Sequence, residues 1–111
     1  MRILFIHQNF PGQYLHIVQR LAQIGSHQLV ALGINPLDRS RQLPDSLQHF
    51  RYRLDRGNSK DVHPLVMETE TKVIRAEGCA RAAKKLKDKG FTPDLICAHP
   101  GWGESLFLKT I

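Results

Sequence analysis

The chain has 111 residues, which suits a single domain. Apolar residues make up 41% and charged residues 23%, the balance of an ordinary globular protein, and no apolar run approaches the roughly 20 residues of a membrane-spanning helix. The net charge of +6 would suit nucleic acid, an anionic membrane or a phosphorylated substrate, and is equally typical of plain surface charge.

The first part of the chain predicts a strand, a helix and a second strand. Residues Arg2–His7 form an apolar, β-rich run, which is typical of a strand buried on both faces. Gln13–Ile24 carries apolar residues at helical spacing, and Gly25 suits the left-handed position that ends a helix. Gln28–Leu32 predicts a second buried strand, and the polar residues that follow predict a loop.

The second part predicts two more strands and two more helices. His49–Arg53 alternates in polarity and predicts a short strand near a sheet edge. Pro64 suits the first turn of a long helix that Gly90 ends. Leu95–Ala98 predicts a fourth buried strand, and a further helix is expected from Glu104 onward. The face of the long helix that packs on the sheet is expected to carry Val66, Val73, Ala76, Ala80 and Ala83.

This order of elements indicates an α/β fold with a parallel sheet, because strands alternate with helices. Right-handed crossovers would give the strand order 3-2-1-4. We therefore expect a single Rossmann-like domain over residues 1–111, with about four strands flanked by helices.

Two loops stand out as a candidate binding site. In such a sheet, ligands bind beyond the carboxyl ends of the strands, where the winding direction switches between strands 1 and 4. A histidine directly follows each of these two strands, so both loops are expected to reach a common rim. The first loop comprises His7, Gln8, Asn9, Phe10, Pro11, Gly12 and Gln13, and the second comprises His99, Pro100, Gly101, Trp102, Gly103 and Glu104.

The residue types in the second loop favour a neutral, hydroxyl-rich ligand such as a sugar or polyol. Trp102 offers an apolar plate, while His99 and Glu104 offer hydrogen bonds. An acid in the first turn of a helix would repel an anion. Each residue also has an ordinary explanation: His7 and His99 as strand-end histidines with satisfied hydrogen bonds, Asn9 as a turn residue, Glu104 as a helix-start acid and Trp102 as core. Their clustering at one predicted point favours function.

Other kinds of site have little support. The first loop has one glycine rather than a dinucleotide fingerprint, and no acid follows the second strand. The six histidines lack metal-ligand spacing, no nucleophile elbow surrounds Ser105, and Trp102 is not in a basic stretch. Cys79 and Cys97 are expected to be reduced and buried. We expect no metal and no cofactor, no nucleic-acid partner, and, because no signal peptide is evident, a cytoplasmic location.

The loops also carry a resemblance to a known family. Residues Met1–Gln13 are similar to the start of bacterial family 4 glycosyltransferases, and so are Arg81–Asp94 and His99–Lys109. The resemblance implies the N-terminal, acceptor-side domain of a two-domain GT-B fold, whose cleft holds acceptor and donor. It also implies retention of anomeric configuration without a metal.

The resemblance implies roles for both loops. The first loop would lie under the donor diphosphate and the acceptor. His99 matches the histidine that faces the donor sugar, which makes it the candidate catalytic residue, and Gly101 and Gly103 would shape its loop. The C-terminal domain of the family, which binds the nucleotide sugar, is absent from this sequence. We therefore expect no transfer by this chain unless a partner chain supplies that domain.

Three functional hypotheses follow. The leading one is the acceptor-side domain of a retaining glycosyltransferase, with a nucleotide-sugar donor and a sugar or lipid-linked acceptor. The second is a non-enzymatic remnant that acts as a binding or oligomerisation module. The third is peripheral docking to anionic lipid or a phosphorylated acceptor through the basic stretch Lys84–Lys89, which the helix dipole also explains without any partner.

Overall fold

The computed structural model describes all residues, 1–111, and consists of a four-stranded parallel sheet with one helix on each face. The strands are β1 (Arg2–Ile6), β2 (Gln28–Gly33), β3 (Gln48–Arg51) and β4 (Leu95–Ala98). The helices are α1 (Leu15–Ile24) and α2 (Met67–Asp88), and short 3-10 turns lie at Gly12–Tyr14, Pro100–Trp102 and Leu108–Thr110. Neither α-helix combines the length and the apolar character needed to cross a bilayer.

The strand order is the one predicted from the alternation of elements. It is β3-β2-β1-β4, with all neighbouring strands parallel. In the centre of the sheet, Leu4 of β1 lies opposite Val30 of β2 on one side and Ile96 of β4 on the other. The α/β Rossmann-like prediction is therefore confirmed.

The two faces of the sheet carry separate cores because successive strand residues point to opposite faces. Leu4 and Ile6 of β1 pack beneath α2, whereas Ile3 and Phe5 pack on the α1 side. The α2 side also contains Val30, Leu32, Tyr52, Cys79 and Leu86. The α1 side also contains Phe10, Tyr14, Val18, Leu29 and Ala31.

The first helix ends where the sequence predicted, and the second begins later. Gly25 has a φ of +80° and its N–H donates to the carbonyl of Leu21, which ends α1. The predicted helix start at Pro64 is wrong, because residues 63–66 form a turn in which Val66 N–H donates to the carbonyl of His63, and α2 begins at Met67.

The predicted packing face of α2 is only partly correct. Ala76 is fully buried, but Val66 precedes the helix and is half exposed. The buried residues of α2 are Ile74, Ala76, Gly78, Cys79 and Leu86. Gly78 belongs to this set because a Cβ there would lie 2.5 Å from the carbonyl oxygen of Arg53, so α2 can approach the residues after β3 only at a glycine.

The prediction that the fourth strand is buried is wrong. Leu95 is 45% exposed and Ile96 is 37% exposed. The physical reason is its position, since β4 is an edge strand that pairs only with β1 and has no neighbouring strand on its other side. Cys97 is correspondingly only partly buried, whereas Cys79 is fully buried; both thiols are free.

The helix expected from Glu104 onward is also absent. Backbone hydrogen bonds in this segment join residues three apart, as between Leu106 N–H and the carbonyl of Gly103, and form turns rather than an α-helix. The side chains of Glu104 and Leu108 are both buried and hold the segment against the body of the domain. Because isolated helices shorter than about 12 residues are marginal in water, such tertiary contacts decide the local conformation.

Candidate functional site

The two histidine-led loops lie side by side at the carboxyl ends of β1 and β4. Ile6 and Ala98 pair across the two strands, and His7 and His99 follow them directly. The indole of Trp102 lies between the two imidazoles. It stacks on His99, with ring centroids 4.3 Å apart and planes 15° from parallel, and meets His7 edge-on at 4.8 Å and 76°. The prediction that both loops reach one rim is confirmed.

His7 is the more deeply placed of the two histidines. Its side chain is buried, and its Nδ1 accepts a hydrogen bond of 3.0 Å from the backbone N–H of Asn9. Gly12, at a φ of +47°, lies directly against the ring, and a Cβ there would be 2.2 Å from Nε2. Burial lowers the pKa of His7, with His99 contributing in the same direction, so the ring is neutral at neutral pH.

His99 uses the same local hydrogen bond in a more open position. Its Nδ1 accepts from the backbone N–H of Gly101 at 3.1 Å, and its side chain is only partly buried. When Nδ1 accepts a hydrogen bond, a neutral imidazole carries its proton on Nε2. His7 and His99 can therefore both present an Nε2–H donor at the rim.

Glu104 lies beneath the rim and faces inward. It is 2% exposed, and its Oε1 accepts hydrogen bonds from the hydroxyl of Tyr52 at 2.8 Å and from Nε2 of Gln8 at 2.7 Å. Burial, followed by the contact with Glu104, raises the pKa of the Tyr52 hydroxyl well above its usual range. One carboxylate thus joins the segment after β3, the first loop and the second loop.

Tyr52 is not among the site residues predicted from the sequence. Its only signal was the alternation of the predicted strand His49–Arg53, in which Phe50 and Tyr52 share a face. In the structure Tyr52 is buried whereas Phe50 is 38% exposed, and the pattern holds no information about Glu104 as the partner of Tyr52. The ligand contact assigned to Glu104 stays a prediction, and its Oε1 already accepts two hydrogen bonds within the protein.

The remaining residues of the first loop divide into a buried and an exposed group. Phe10 and Pro11 are fully buried, and the Phe10 ring packs 6.2 Å from that of Phe5 in the core on the α1 side. Asn9 and Gln13 are exposed, and Oδ1 of Asn9 accepts a hydrogen bond from the side chain of Asn35. Only Asn9 and Gln13 of these four are therefore accessible to a ligand.

The second loop is held against α2 by a glycine. Gly103 has a φ of +94°, and a Cβ on it would lie 2.6 Å from the carbonyl oxygen of Lys72. Both its backbone conformation and its close contact therefore require a residue without a side chain. This contact fixes the positions of Trp102 and Glu104, which flank Gly103 in the chain.

A comparison with known protein families identifies the family to which this domain belongs. A family model described as glycosyl transferase family 4 group matches residues 25–111. The chain belongs to this family. No curated protein and no solved structure matches it.

The family match includes one of the two loops of this glycosyltransferase domain. The second loop, with His99 and Trp102, lies within residues 25–111, whereas the first loop precedes them. The first loop is joined to the matched part by contacts of its own, because Gln8 hydrogen-bonds Glu104 and His7 contacts Trp102. No group of three His, Cys, Asp or Glu side chains is arranged to hold a metal ion.

Proposed function

We propose that this glycosyltransferase-family domain binds the acceptor in the transfer of a sugar from a nucleotide-sugar donor with retention of configuration. The observation that supports the proposal is the assembly of His7, Trp102 and His99 at the carboxyl edge of a parallel sheet. Ligands of such sheets bind at this edge, where the winding direction reverses.

The chemistry of the rim fits a sugar better than an anion. Aromatic faces pack against the apolar face of a sugar ring, and part of the Trp102 side chain is accessible for this contact. The Nε2–H groups of His7 and His99 can donate to sugar hydroxyls, and neither nitrogen hydrogen-bonds within the chain. A neutral His7 adds a donor without adding positive charge.

His99 is the candidate catalytic residue. Its ring is fixed from two directions, by the Gly101 N–H on Nδ1 and by the parallel indole of Trp102, so Nε2 has a defined direction. The resemblance to family 4 enzymes assigns this position to the donor sugar in the complete enzyme, where donor and acceptor meet. In that role, the Nε2–H would donate a hydrogen bond to a hydroxyl of the sugar during transfer. In this chain alone, the same Nε2–H can donate to an acceptor hydroxyl.

We assign the nucleotide of the donor to a second domain outside these 111 residues. The loop after β1 contains a single glycine, and β2 ends at Leu32-Gly33-Ile34-Asn35 without an acid that could hold a ribose. We expect this chain to bind an acceptor by itself and to catalyse transfer only with a donor-binding domain.

Trp102 makes the proposal testable because it is the single tryptophan of the chain. Titration with a panel of free, phosphorylated and lipid-linked sugars is expected to change its fluorescence in a saturable way for at least one acceptor. The change is expected to disappear in His99→Ala and to persist in His16→Ala, a matched histidine exposed on α1. Calorimetry with nucleotide sugars is expected to show weak binding.

Two results would contradict the proposal. One is a response of Trp102 to the panel that His99→Ala leaves unchanged, or no response at all. The other is tight binding of a nucleotide sugar to the 111-residue chain, since this would place the donor in the domain that we assign to the acceptor.

A second candidate function, a binding or oligomerisation module, draws support from the exposed edge of the sheet. Leu95 and Ile96 of β4 are both more than one-third exposed. Exposed apolar residues next to an unpaired strand edge favour association with another chain. Light scattering that shows a strict monomer over the micromolar range would contradict this candidate.

A further inference from the structure

A cleft lies between the end of β3 and the side of α2, apart from the loops that hold Trp102. It has a volume of about 630 Å³. Its charged side chains are those of Arg51, Arg53, Arg81, Lys85 and Asp55. We refer to this space as the basic cleft, because four of its five charged residues are cations.

The cations reach the basic cleft from two separate elements. Arg51 and Arg53 alternate along β3 and the residues after it, so they share a side of the strand. Arg81 and Lys85 are one helical turn apart on α2 and share a side of the helix. Lys89, one turn further, lines the adjoining hollow together with Arg51 and Lys85.

The charges in the basic cleft are not balanced within the protein. Asp55 pairs with Arg81 at 2.9 Å, but no carboxylate pairs with Arg51, Arg53 or Lys85. Elsewhere on α2, lysines do have partners, since Lys72 pairs with Glu68 and Lys84 pairs with Asp88. Like charges held close together destabilise a folded protein, so an unbalanced group favours an anionic ligand.

The walls of the cleft are held in place by tight contacts. Gly78 brings α2 against the backbone of Arg53, where any larger residue would collide with the carbonyl. Arg51 donates from Nε to the carbonyl of Ile34 at 3.1 Å, which orients its guanidinium and leaves the terminal nitrogens available. Tyr52, between the two arginines, is anchored by its hydroxyl to Glu104.

We propose that the basic cleft binds a phosphate monoester through Arg51, Arg53 and Lys85. Guanidinium groups donate two parallel hydrogen bonds to phosphate oxygens, and an ammonium adds a point charge. Nucleic acid is a poorer fit because the cleft offers no free aromatic ring on which a base could stack, and Trp102 lies in the other site. This inference concerns separate residues and does not rest on the proposed acceptor function.

The phosphate group could belong to a soluble ester or to a lipid head group, and binding experiments distinguish the two. Inorganic phosphate and a hexose phosphate are titrated into the chain while amide chemical shifts are followed by NMR, with the unphosphorylated hexose as a control. Vesicles of phosphatidylcholine with and without phosphatidic acid are tested by co-sedimentation. Saturable shifts of residues in the basic cleft with the soluble esters indicate a soluble ligand, and retention on phosphatidic acid vesicles alone indicates a lipid.

Two neighbouring lysines provide the matched variants. Lys85→Gln removes a cation from the basic cleft, whereas Lys84→Gln removes the same charge from a lysine that pairs with Asp88 outside it. Lys85→Gln and Arg53→Gln are each expected to weaken binding about tenfold, the value of one charge-assisted hydrogen bond. Lys84→Gln is expected to stay within about twofold, because a distant exposed charge is screened.

A third variant changes the charge in the opposite direction. Asp55→Asn frees Arg81 from its carboxylate and is expected to strengthen binding about threefold, in line with the small value of an exposed ion pair.

The proposal is wrong if Lys84→Gln and Lys85→Gln weaken binding equally, since the effect would then be one of net charge. It is also wrong if neither soluble ester nor phosphatidic acid binds saturably. Trp102 fluorescence reports the acceptor site separately, so the two proposals can fail independently.

Discussion

The two ends of the second loop are neighbours in sequence but serve the protein differently. His99 and Trp102 form a stacked pair at the rim, and both side chains are partly exposed. Gly103 and Glu104 face inward, where one contacts α2 and the other holds Tyr52 and Gln8. A single unusual stretch of sequence thus combines residues that face a ligand with residues that hold them in position.

The largest effect is expected from removal of the inward-facing carboxylate. Glu104→Ala leaves the buried hydroxyl of Tyr52 and the amide of Gln8 without an acceptor, which is expected to reduce the free energy of unfolding by about 3 kcal/mol. Glu104→Gln keeps one oxygen in place and is expected to lose about 1 kcal/mol. Urea unfolding followed by circular dichroism measures both, and equal losses would show that the hydrogen bonds do not stabilise the loop.

Substitutions at Gly90 and Gly103 allow the cost of backbone strain to be measured apart from the cost of a steric clash. Gly103 and Gly90 have nearly the same φ, +94° and +95°, but a Cβ meets Lys72 at Gly103 and nothing within 4 Å at Gly90. Gly90→Ala is expected to lose about 1 kcal/mol from backbone strain alone, and Gly103→Ala about 2.5 kcal/mol, because overpacking adds to the strain. Urea unfolding again measures the difference. Similar losses at the two positions would mean that the contact with α2 is not tight.

Stability is also expected to fall as the pH is lowered through the titration of two histidines. Burial lowers the pKa of His7 and of His49 below the ordinary value of 6.5, and Arg51 contributes at His49. The folded state therefore binds fewer protons than the unfolded state, so stability is fully present above pH 6.5 and decreases as the pH falls towards the lowered pKa values.

One variant tests the origin of this pH dependence. His49→Leu removes one of the two groups, including an Nε2 that is buried without a hydrogen-bond partner, and is expected to flatten the curve between about pH 5 and 7. Urea unfolding at a series of pH values gives the free energy of unfolding of both proteins. Identical slopes for the variant and the natural chain would assign the acid sensitivity to other groups.

The smallest effect on stability is expected at the rim itself. His99→Ala removes a partly exposed ring and is expected to change the free energy of unfolding by about 0.5 kcal/mol, as most surface substitutions do. The same variant is expected to lose the fluorescence response of Trp102 to sugars. A loss of stability comparable to that of Glu104→Ala would erase the distinction between the two ends of the loop.

Much of the fold could be predicted from local patterns. The apolar runs Arg2–His7 and Gln28–Leu32 indicated central strands because strands covered on both faces typically lack alternation. The run Leu95–Ala98 has the same apolar character, yet β4 is half exposed. Burial of a strand depends on which elements cover it, and its own residues do not report that.

The candidate site was predictable in place but not in detail. The strand order implied that His7 and His99 would be close, whereas the position of Trp102 between the two rings is known only from the structure. The inward turn of Glu104 and its partner Tyr52 did not follow, because the two residues are 52 positions apart and no local spacing relates them. The basic cleft was missed for the same reason, since Arg53 and Lys85 come from separate elements.

By itself, the sequence determined the four strands, the two long helices, the parallel strand order and the rim at which the two histidine-led loops meet, because periodicity, turn residues and crossover handedness act over short stretches of chain. Only the tertiary structure decided which side chains of those loops face inward. That choice depends on hydrogen bonds and close contacts between residues far apart in the chain, such as Glu104 with Tyr52 and Gly103 with Lys72.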